Sequence, residues 1–238
     1  SWDNYITISP KDAESLGLEN SLNARMQLDG DTVNVTANGV TLKDVPVFIQ
    51  PGQADGSLGL ALGYGKKDSG KVAETGVNAY PLFDGYNTVI TNVKIEKSGD
   101  GHEFAGMQLQ NTLMGRYEIA KEVTLDDFIN KPVDEWNKPL AMHTIGGELP
   151  IGKIDLWDAF DDTDGPHFNL SVDLNSCTGC GACVIACQAE NNVPVVGKEE
   201  VRMSRDMYWL RIDRYYSTEQ KVEVYEGLKE GMAVPELR

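Results

Sequence analysis

The only four cysteines of this 238-residue chain lie between residues 177 and 187. They are Cys177, Cys180, Cys183 and Cys187, in the pattern C-x2-C-x2-C-x3-C. Such a run typically gives three thiolates to one iron–sulfur cluster and the fourth to a second cluster. We therefore predict that Cys177, Cys180 and Cys183 bind one cluster and that Cys187 binds another.

Zinc and disulfide bonds are the two other chemistries that cysteines at this spacing could serve. Zinc sites usually pair two C-x2-C units across a longer spacer. A C-x2-C-x2-C run also offers poor Cα geometry for bridging within itself. Iron–sulfur ligation is the better interpretation, although Gln188 stands where bacterial ferredoxins place proline after the fourth cysteine.

The residues between the cysteines indicate how the backbone positions them. Gly179 and Gly181 allow the chain to curl around a cluster and direct N–H groups at its sulfurs, which stabilises added negative charge. The following run "CVIACQAEN" predicts a helical turn that carries Cys187. We interpret residues 169–238 as the N-terminal part of a ferredoxin-like α+β domain.

Residues 1–125 read as a β-rich domain. A short helix is expected after "YITIS", with Ser9 as N-cap, Pro10 at the first helical position, Asp12 completing a capping box and Gly17 ending the turn. Further strand-like runs are separated by Asp29-Gly30 and Asn38-Gly39, which are strong hairpin dipeptides. Closely spaced short strands with one short helix predict a barrel.

A glycine-rich stretch, "GSLGLALGYGKKDSG", lies within this domain at residues 56–70. It does not fit a nucleotide P-loop, because Gly59 and Gly65 are one residue too far apart and Lys66 is followed by Lys67. The simpler interpretation is a glycine-kinked strand followed by a polar loop.

Residues 126–168 are predicted to be a linker rich in proline and aspartate, and its prolines interrupt regular structure. An acidic group within it lacks the order of an EF-hand loop, so a solvated linker is favoured over a calcium site. The members of that group are Asp155, Asp158, Asp161, Asp162 and Asp164. The three histidines, His102, His143 and His167, are widely separated and are expected to be surface or structural residues.

Composition narrows the possible partners. A net charge of −16 and a pI near 4.5 argue against nucleic acid and anionic membrane surfaces. No apolar run is long enough for a spanning helix, and the N-terminus lacks the layout of a signal peptide. The run "RMSRDMYWLRIDRYY" is interpreted as a strand whose arginines face cluster charge or a partner subunit.

Two family resemblances extend this interpretation. "ITISPKDAESLGL", "VPVFIQPG" and "LGLALGYGKKDSGKVAETGVNAYPL" resemble the molybdopterin dinucleotide-binding domain of large molybdenum oxidoreductases. That resemblance covers about residues 3–120, with Ala13, Gly17 and Asn78 at matching positions, and implies a double-psi β-barrel. The expected fold is thus mainly β with some α: this barrel followed by the start of a ferredoxin-like domain.

Residues 172–216, from "VDLNSCTGCGACVIACQAENN" to "RIDRYY", resemble the iron–sulfur B subunits of bacterial alternative complex III. The resemblance implies an electron-transfer subunit that relays electrons from quinol toward cytochrome c or an oxidase. Its partners would be a membrane-embedded quinol-oxidising subunit and cytochrome c subunits, at the periplasmic face of the inner membrane. The chain would be an internal fragment whose other cluster ligands follow Arg238, with 4Fe-4S clusters complete only in the full-length protein and molybdopterin not expected.

Two alternatives remain open at the level of sequence. The chain could belong to a working molybdopterin oxidoreductase of the polysulfide or thiosulfate reductase type, or it could be a zinc-stabilised scaffold. No side-chain acid, base or nucleophile can be argued for catalysis within the chain itself. Its chemistry would therefore be that of the clusters and of the complex that contains them.

Overall fold

A computed structural model of the chain describes residues 2–68, 75–83, 85, 89–109, 111, 121, 123–154, 156–157 and 163–216. By internal contacts the chain divides into two units, residues 1–111 with 181–216 and residues 112–180 with 217–238. The three segments predicted from the sequence, 1–125, 126–168 and 169–238, remain predictions. We refer to residues 1–111 as the β domain and to residues 181–216 as the cluster arm.

The described elements, in chain order, are β1 (Ile6–Ile8), α1 (Pro10–Leu16), β2 (Asn20–Leu22), β3 (Leu28–Ala37), β4 (Val40–Ile49), β5 (Leu58–Leu60), a 3-10 turn (Tyr80–Leu82), β6 (Lys94–Glu103), α2 (Leu125–Asn130), α3 (Val133–Trp136), β7 (Ala141–Thr144), β8 (Gly147–Pro150), a second 3-10 turn (Ile151–Lys153), α4 (Ala182–Glu190) and α5 (Lys198–Arg202).

Six strands of the first unit form one sheet in the order β2-β3-β4-β1-β5, with β6 paired along the other edge of β3. β1 runs parallel to β4, and the remaining pairs are antiparallel. The prediction of a mainly β fold with few helices is confirmed. Within the described residues the sheet does not close on itself, so the double-psi barrel remains a proposal.

Alternating side chains of β1, β3 and β4 form the core of this sheet. Ile6, Ile8, Val33, Val45 and Val47 are each at most 2% exposed. Since successive side chains of a strand point to opposite faces, their spacing places them on one covered face. Burying side chains of this size stabilises the folded state by about 1.5–3 kcal/mol each.

The short helix α1 begins and ends where the sequence predicts. Ser9 is its N-cap and accepts a hydrogen bond from the Asp12 N–H at 3.1 Å, with Pro10 in the first turn. Gly17 ends the helix in the left-handed conformation, at φ 63°. The Asp12 carboxylate itself accepts from the Gly56 N–H at 2.6 Å, which ties α1 to the loop before β5.

Of the two predicted hairpin turns, the structure contains one. Asn38-Gly39 forms the turn between β3 and β4, with both residues at positive φ, as predicted. The prediction of a turn at Asp29-Gly30 is wrong, because both residues lie inside β3. A Cβ at Gly30 would lie 2.4 Å from the Asn20 side chain and 2.6 Å from the Phe104 ring, so glycine serves close packing there.

In the described part of the glycine-rich stretch, residues 56–68, the one regular element is the short strand β5. A Cβ at Gly59 would lie 2.6 Å from Thr7 Oγ1 of the neighbouring strand, which explains glycine at this position. The following residues 61–68 carry turns and loop, in agreement with the interpretation of a kinked strand and a loop. Ser69 and Gly70 lie outside the described residues.

The second unit carries short elements between its prolines. α2 and α3 are separated by Pro132, and β7 and β8 form a two-stranded hairpin that ends at Pro150. Thr124 caps α2 by accepting from the Asp127 N–H at 3.1 Å. Of the acidic group considered as a calcium site, Asp164 is described and exposed, and the other four aspartates lie outside the described residues.

Candidate iron–sulfur centre

A hydrogen-bonded turn precedes the first cysteine. The Asp173 carboxylate accepts from the Ser176 hydroxyl at 2.8 Å and from the Asn175 N–H at 3.0 Å. These hydrogen bonds, with that of Ser176 the strongest, lower the pKa of Asp173 below its usual range and favour the ionised acceptor. The turn thereby fixes the backbone directly before Cys177.

Two glycines give the cysteine segment its local path. Gly179 has φ 70° and Gly181 has φ 73°, and an added Cβ would meet nothing within 4 Å at either position. Glycine is therefore required there by the left-handed backbone and not by crowding. Space remains open on this side of the backbone, as wrapping around an inorganic cluster requires.

α4 carries Cys183 and Cys187, and it confirms the helical turn predicted for this run. Residues four apart lie on the same side of a helix, one turn from each other. Asn191 closes the helix: its Nδ2 donates to the Cys187 carbonyl at 2.9 Å and lies 3.6 Å from the Cys187 Sγ. Hydrogen bonds to a ligand sulfur are one of the means by which a protein sets the potential of a cluster.

All four cysteines are free thiols, three of them exposed and Cys187 half-buried. Within the described part of the chain, no three His, Cys, Asp or Glu side chains converge on a point that could hold a metal ion. The donor set nevertheless fits an iron–sulfur cluster, because its ligands are soft sulfur donors separated by glycines in the left-handed conformation.

The histidines lie elsewhere. His102 Nε2 is 2.6 Å from the Asp3 carboxylate, and because an ionised carboxylate only accepts, Nε2 donates. His143 lies on β7 and His167 lies on an exposed stretch without regular structure. These positions agree with structural and surface roles, as the sequence predicts.

The basic run after the cysteines differs from its prediction. Residues 203–215 form turns and loop and Tyr216 a single β-bridge, so the expected strand is wrong. Arg205 pairs with Glu200, and Arg211 pairs with Asp213 at 2.8 Å. Their guanidinium groups bind carboxylates of the same segment, because a neighbouring acid in the chain is the nearest partner available.

A cavity of about 250 Å³ lies within the β domain. Its described lining consists entirely of apolar residues: Ile6, Val35, Ala37, Leu58, Leu60, Leu62, Ala79, Leu82, Phe83, Ile90 and Val93. A pterin dinucleotide carries a charged pyrophosphate, which needs N–H donors or cationic side chains. This lining does not fit such a group.

One buried polar residue, Asn4, ties the start of β1 to two loops. Its Nδ2 donates to the carbonyls of Ala61 and Val77, at 2.8 and 2.9 Å, and its Oδ1 accepts from the Val77 N–H at 2.8 Å. Asn78, which resembles the late asparagine of the pterin-binding domains, accepts from the Tyr80 N–H at 3.1 Å. Both asparagines therefore organise the backbone of the β domain.

Sequence reasoning missed the residues that join the cluster arm to the β domain. Lys198 and Arg202 of α5 contact Asp3 and Asp29, respectively, at 2.8 and 2.7 Å. The spacing of "KEEVR" indicates that both cations lie on one side of a helix. Their partners lie more than 170 residues earlier in the chain, and no local pattern reveals such pairs.

Comparison with known proteins supports 4Fe-4S binding by the cysteine segment. Residues 170–190 match the family of 4Fe-4S binding domains. The iron–sulfur cluster-binding subunit of menaquinone reductase from Nitratidesulfovibrio vulgaris is 62% identical over 26 residues, which are 11% of this chain and 10% of that protein. The iron–sulfur subunit of arsenate respiratory reductase from Chrysiogenes arsenatis is 48% identical over 25 residues, 10% of this chain and 83% of that sequence.

These similarities are confined to the cysteine segment. The chain spans about a tenth of the length of the menaquinone reductase subunit that it matches. They support a segment that binds a 4Fe-4S cluster, of the kind found in electron-transferring iron–sulfur subunits of reductases. Among the described residues, no helix combines the length and apolar character needed to cross a membrane.

Proposed function

We propose that this chain is part of the electron-transfer subunit of a quinol-oxidising respiratory complex of the alternative complex III type. It relays electrons from quinol toward cytochrome c or an oxidase. The observation that carries the proposal is the cysteine run of residues 177–187, which matches a 4Fe-4S binding domain and whose last two cysteines lie on one helix. The resemblance over residues 172–216 selects this complex among those that use such subunits.

The four thiolates are assigned by the split-ligand rule. Cys177, Cys180 and Cys183 hold one 4Fe-4S cluster, and Cys187 contributes to a second whose other ligands come from outside this chain. Bound clusters supply one-electron transfer. The chain itself binds the iron, supplies the Asn191 amide near the Cys187 sulfur, and keeps Gly179 and Gly181 free to wrap the cluster. No side-chain proton transfer is required.

The β domain is proposed to bind no pterin. The apolar lining of its described cavity supports this, since none of the described lining side chains is a cation or a hydrogen-bond donor. A domain that resembles a cofactor-binding fold without holding the cofactor serves as a structural part of the subunit. The double-psi topology belongs to the same proposal and rests on the resemblance of residues 3–120.

Partner subunits are proposed to cover exposed apolar side chains. Large exposed apolar groups often mark interaction surfaces. Among the described residues of the second unit, the large apolar side chains that are more than 60% exposed are those of Leu125, Ile129, Ile145, Leu156, Trp157, Phe168, Leu170 and Leu174. We assign these contacts to the membrane-embedded quinol-oxidising and cytochrome c subunits, with the protein at the periplasmic face of the inner membrane.

A working molybdenum reductase is the second candidate. The two relatives are subunits of menaquinone reductase and of arsenate respiratory reductase, and such names are compatible with a subunit serving a reductase. In that case a pterin would be bound by the complex, and the electrons would run toward a substrate.

Metal analysis of the full-length protein, purified anaerobically, distinguishes the candidates. We expect iron and acid-labile sulfide in 4Fe-4S proportions, no molybdenum, and reduction of the clusters by quinol. Near-stoichiometric molybdenum with a recovered pterin would favour the reductase. Zinc without iron would refute both. Protection of the protein from protease added to spheroplasts would contradict the periplasmic placement.

A further inference from the structure

The cluster arm contacts the β domain through α5. Lys198 and Arg202 are four residues apart and so lie on the same side of this helix. Lys198 Nζ donates to the Asp3 carboxylate at 2.8 Å. Both cations therefore bind groups of the β domain, at opposite ends of one helical turn.

Arg202 is the buried member of this pair, with a side chain only 6% exposed. Its guanidinium donates to the carbonyls of Leu28 and Phe104, at 2.8 and 2.7 Å, and to the Asp29 carboxylate at 2.7 Å. The Phe104 N–H also donates to the Leu28 carbonyl at 3.0 Å. Arg202 thus binds where β3 begins and β6 has just ended, and a buried guanidinium with fixed acceptors tolerates little displacement.

The partner of Lys198, Asp3, is connected through His102 to a group of packed aromatic side chains. Asp3 accepts from both Lys198 and His102, and its side chain is 11% exposed. The His102 ring packs on Phe104 at a centroid distance of 4.8 Å, and Phe104 packs edge-on against Tyr5 and Phe48. The two cations therefore bind next to a rigid part of the β domain.

The other arginines of the arm provide a contrast. Arg205 and Arg211 pair with acids of their own segment, and Arg214 donates to Gln50 at 2.9 Å in an exposed contact. Arg202 alone among these four is buried. Its charge is neutralised by the β domain, through Asp29 and, at 3.7 Å, Glu103.

Residues 191–197 connect the cysteine helix to α5. The beginning of this connection is held by the Val193 N–H, which donates to the Gln188 carbonyl at 2.9 Å, and by the Asn191 side chain on Cys187. With its start held on α4 by these hydrogen bonds, the connection has residues 194–197 left to reach α5, and these four residues span at most about 14 Å. The position of α5 therefore constrains Cys183 and Cys187.

We infer that Lys198 and Arg202 are positioning residues for cluster binding: through them the β domain holds the helix that carries Cys183 and Cys187. The inference rests on the proposed function only in that these cysteines bind clusters. It gives the β domain a task that needs no pterin. The contacts of Arg202 with Leu28, Asp29 and Phe104 are its principal basis.

The test compares Arg202→Met with Arg205→Met in the full-length protein. Both variants remove a guanidinium from the same segment, but only Arg202 contacts the β domain. Hydrogen–deuterium exchange should be at least about tenfold faster in residues 198–203 of Arg202→Met, because local opening becomes easier. The cluster signals should shift in midpoint potential or broaden in electron paramagnetic resonance, since solvent exposure and hydrogen bonds set these properties. Arg205→Met should resemble the wild type in both.

Asp29→Asn provides a milder variant if Arg202→Met does not fold. The asparagine keeps the shape of the Asp29 side chain, and the carbonyls of Leu28 and Phe104 still accept from Arg202. We therefore expect faster exchange and altered cluster signals, both by a smaller amount than in Arg202→Met. If the variants that fold exchange residues 198–203 at the wild-type rate, Arg202 does not hold α5 on the β domain. Faster exchange with unchanged cluster signals would overturn the positioning role. A wild-type protein without iron would instead refute the proposed function, and the exchange result would still stand.

Discussion

Ile6, Ile8, Val33, Val45 and Val47 of the β domain are at most 2% exposed, whereas in the cysteine segment three of four thiols are exposed. α4 contains no buried residue at all, although its sequence is largely apolar. One region therefore has its stabilising contacts inside the chain. The described hydrogen bonds of the other are local, and at metal sites of this kind the binding of the metal also contributes folding energy.

Glycine illustrates the same difference. Gly30, Gly65 and Gly76 of the β domain each have another atom within 2.6 Å of where a Cβ would lie, so packing excludes a larger residue. Gly179 and Gly181 have open space where a Cβ would lie, so only their left-handed backbone favours glycine. Gly30, Gly65 and Gly76 thus serve close approach, whereas Gly179 and Gly181 serve the direction of the chain.

The strongest test of this contrast is removal of single thiols in the complete protein. Cys183→Ser and Cys187→Ser should each abolish quinol oxidation, because a linear relay fails at any missing step. By the split-ligand rule, each should alter a different redox signal and leave the other largely in place. Electron paramagnetic resonance during a redox titration checks this.

The β domain should remain folded in both cysteine variants, since its core contains neither residue. The β-sheet signal in the circular dichroism spectrum of each variant serves as the control. Loss of one and the same signal in both variants would place all four cysteines on a single cluster. Unfolding of the β domain would contradict the separation between the two regions.

Truncation of a core side chain should lower the stability of the β domain, which the cysteine substitutions should leave folded. Ile8→Ala is expected to lower the free energy of unfolding by about 2–5 kcal/mol, because Ile8 is 1% exposed and a cavity remains. Ile212→Ala provides the matched control: this isoleucine is 71% exposed, and the change should stay within about 0.5 kcal/mol. Urea denaturation measures both, and equal effects would show that the buried strand core does not carry the stability.

The two classes of glycine allow a sharper comparison. Gly65→Ala should destabilise by roughly 2–3 kcal/mol, because the added Cβ would lie 2.4 Å from the Asn78 backbone nitrogen and φ is 63°. Gly181→Ala has the backbone strain alone and should cost about 1–2 kcal/mol, confined to the cysteine segment. Urea denaturation and the iron content of both variants check this. A larger loss of global stability in Gly181→Ala than in Gly65→Ala would show that close packing at Gly65 is not the larger effect.

The smallest expected effect concerns pH. Burial raises the pKa of Asp3, but hydrogen bonds from His102 and Lys198 outweigh burial and leave the pKa below its ordinary value. Stability from this carboxylate is therefore present above the ordinary aspartate pKa and is lost as pH falls through the lowered one, between roughly pH 5 and pH 2. The urea midpoint of the wild type should fall more steeply than that of Asp3→Asn over this range, and parallel curves would show that Asp3 contributes nothing.

Much of the cysteine segment could be predicted from the sequence, and so could α1 and the turn at Asn38-Gly39. These features depend on contacts between residues close in the chain: a serine cap, a left-handed glycine, thiols at fixed spacing. The same local rules gave a wrong turn at Asp29-Gly30, because packing against Asn20 and Phe104 decided that position. The same rules also predicted a strand after Arg202, where the structure has turns and loop.

By itself the sequence indicated the chemistry of the cysteine segment, since the spacing of the four thiols predicts a 4Fe-4S binding segment whatever surrounds it. Only the tertiary structure decided how Lys198 and Arg202 are used. Arg202 has the same side chain as Arg205, yet its guanidinium lies among the groups of Leu28, Asp29 and Phe104. The physical reason is that the partners of a charge in the folded chain depend on which distant backbone groups folding brings within hydrogen-bond distance, and sequence spacing carries no record of that.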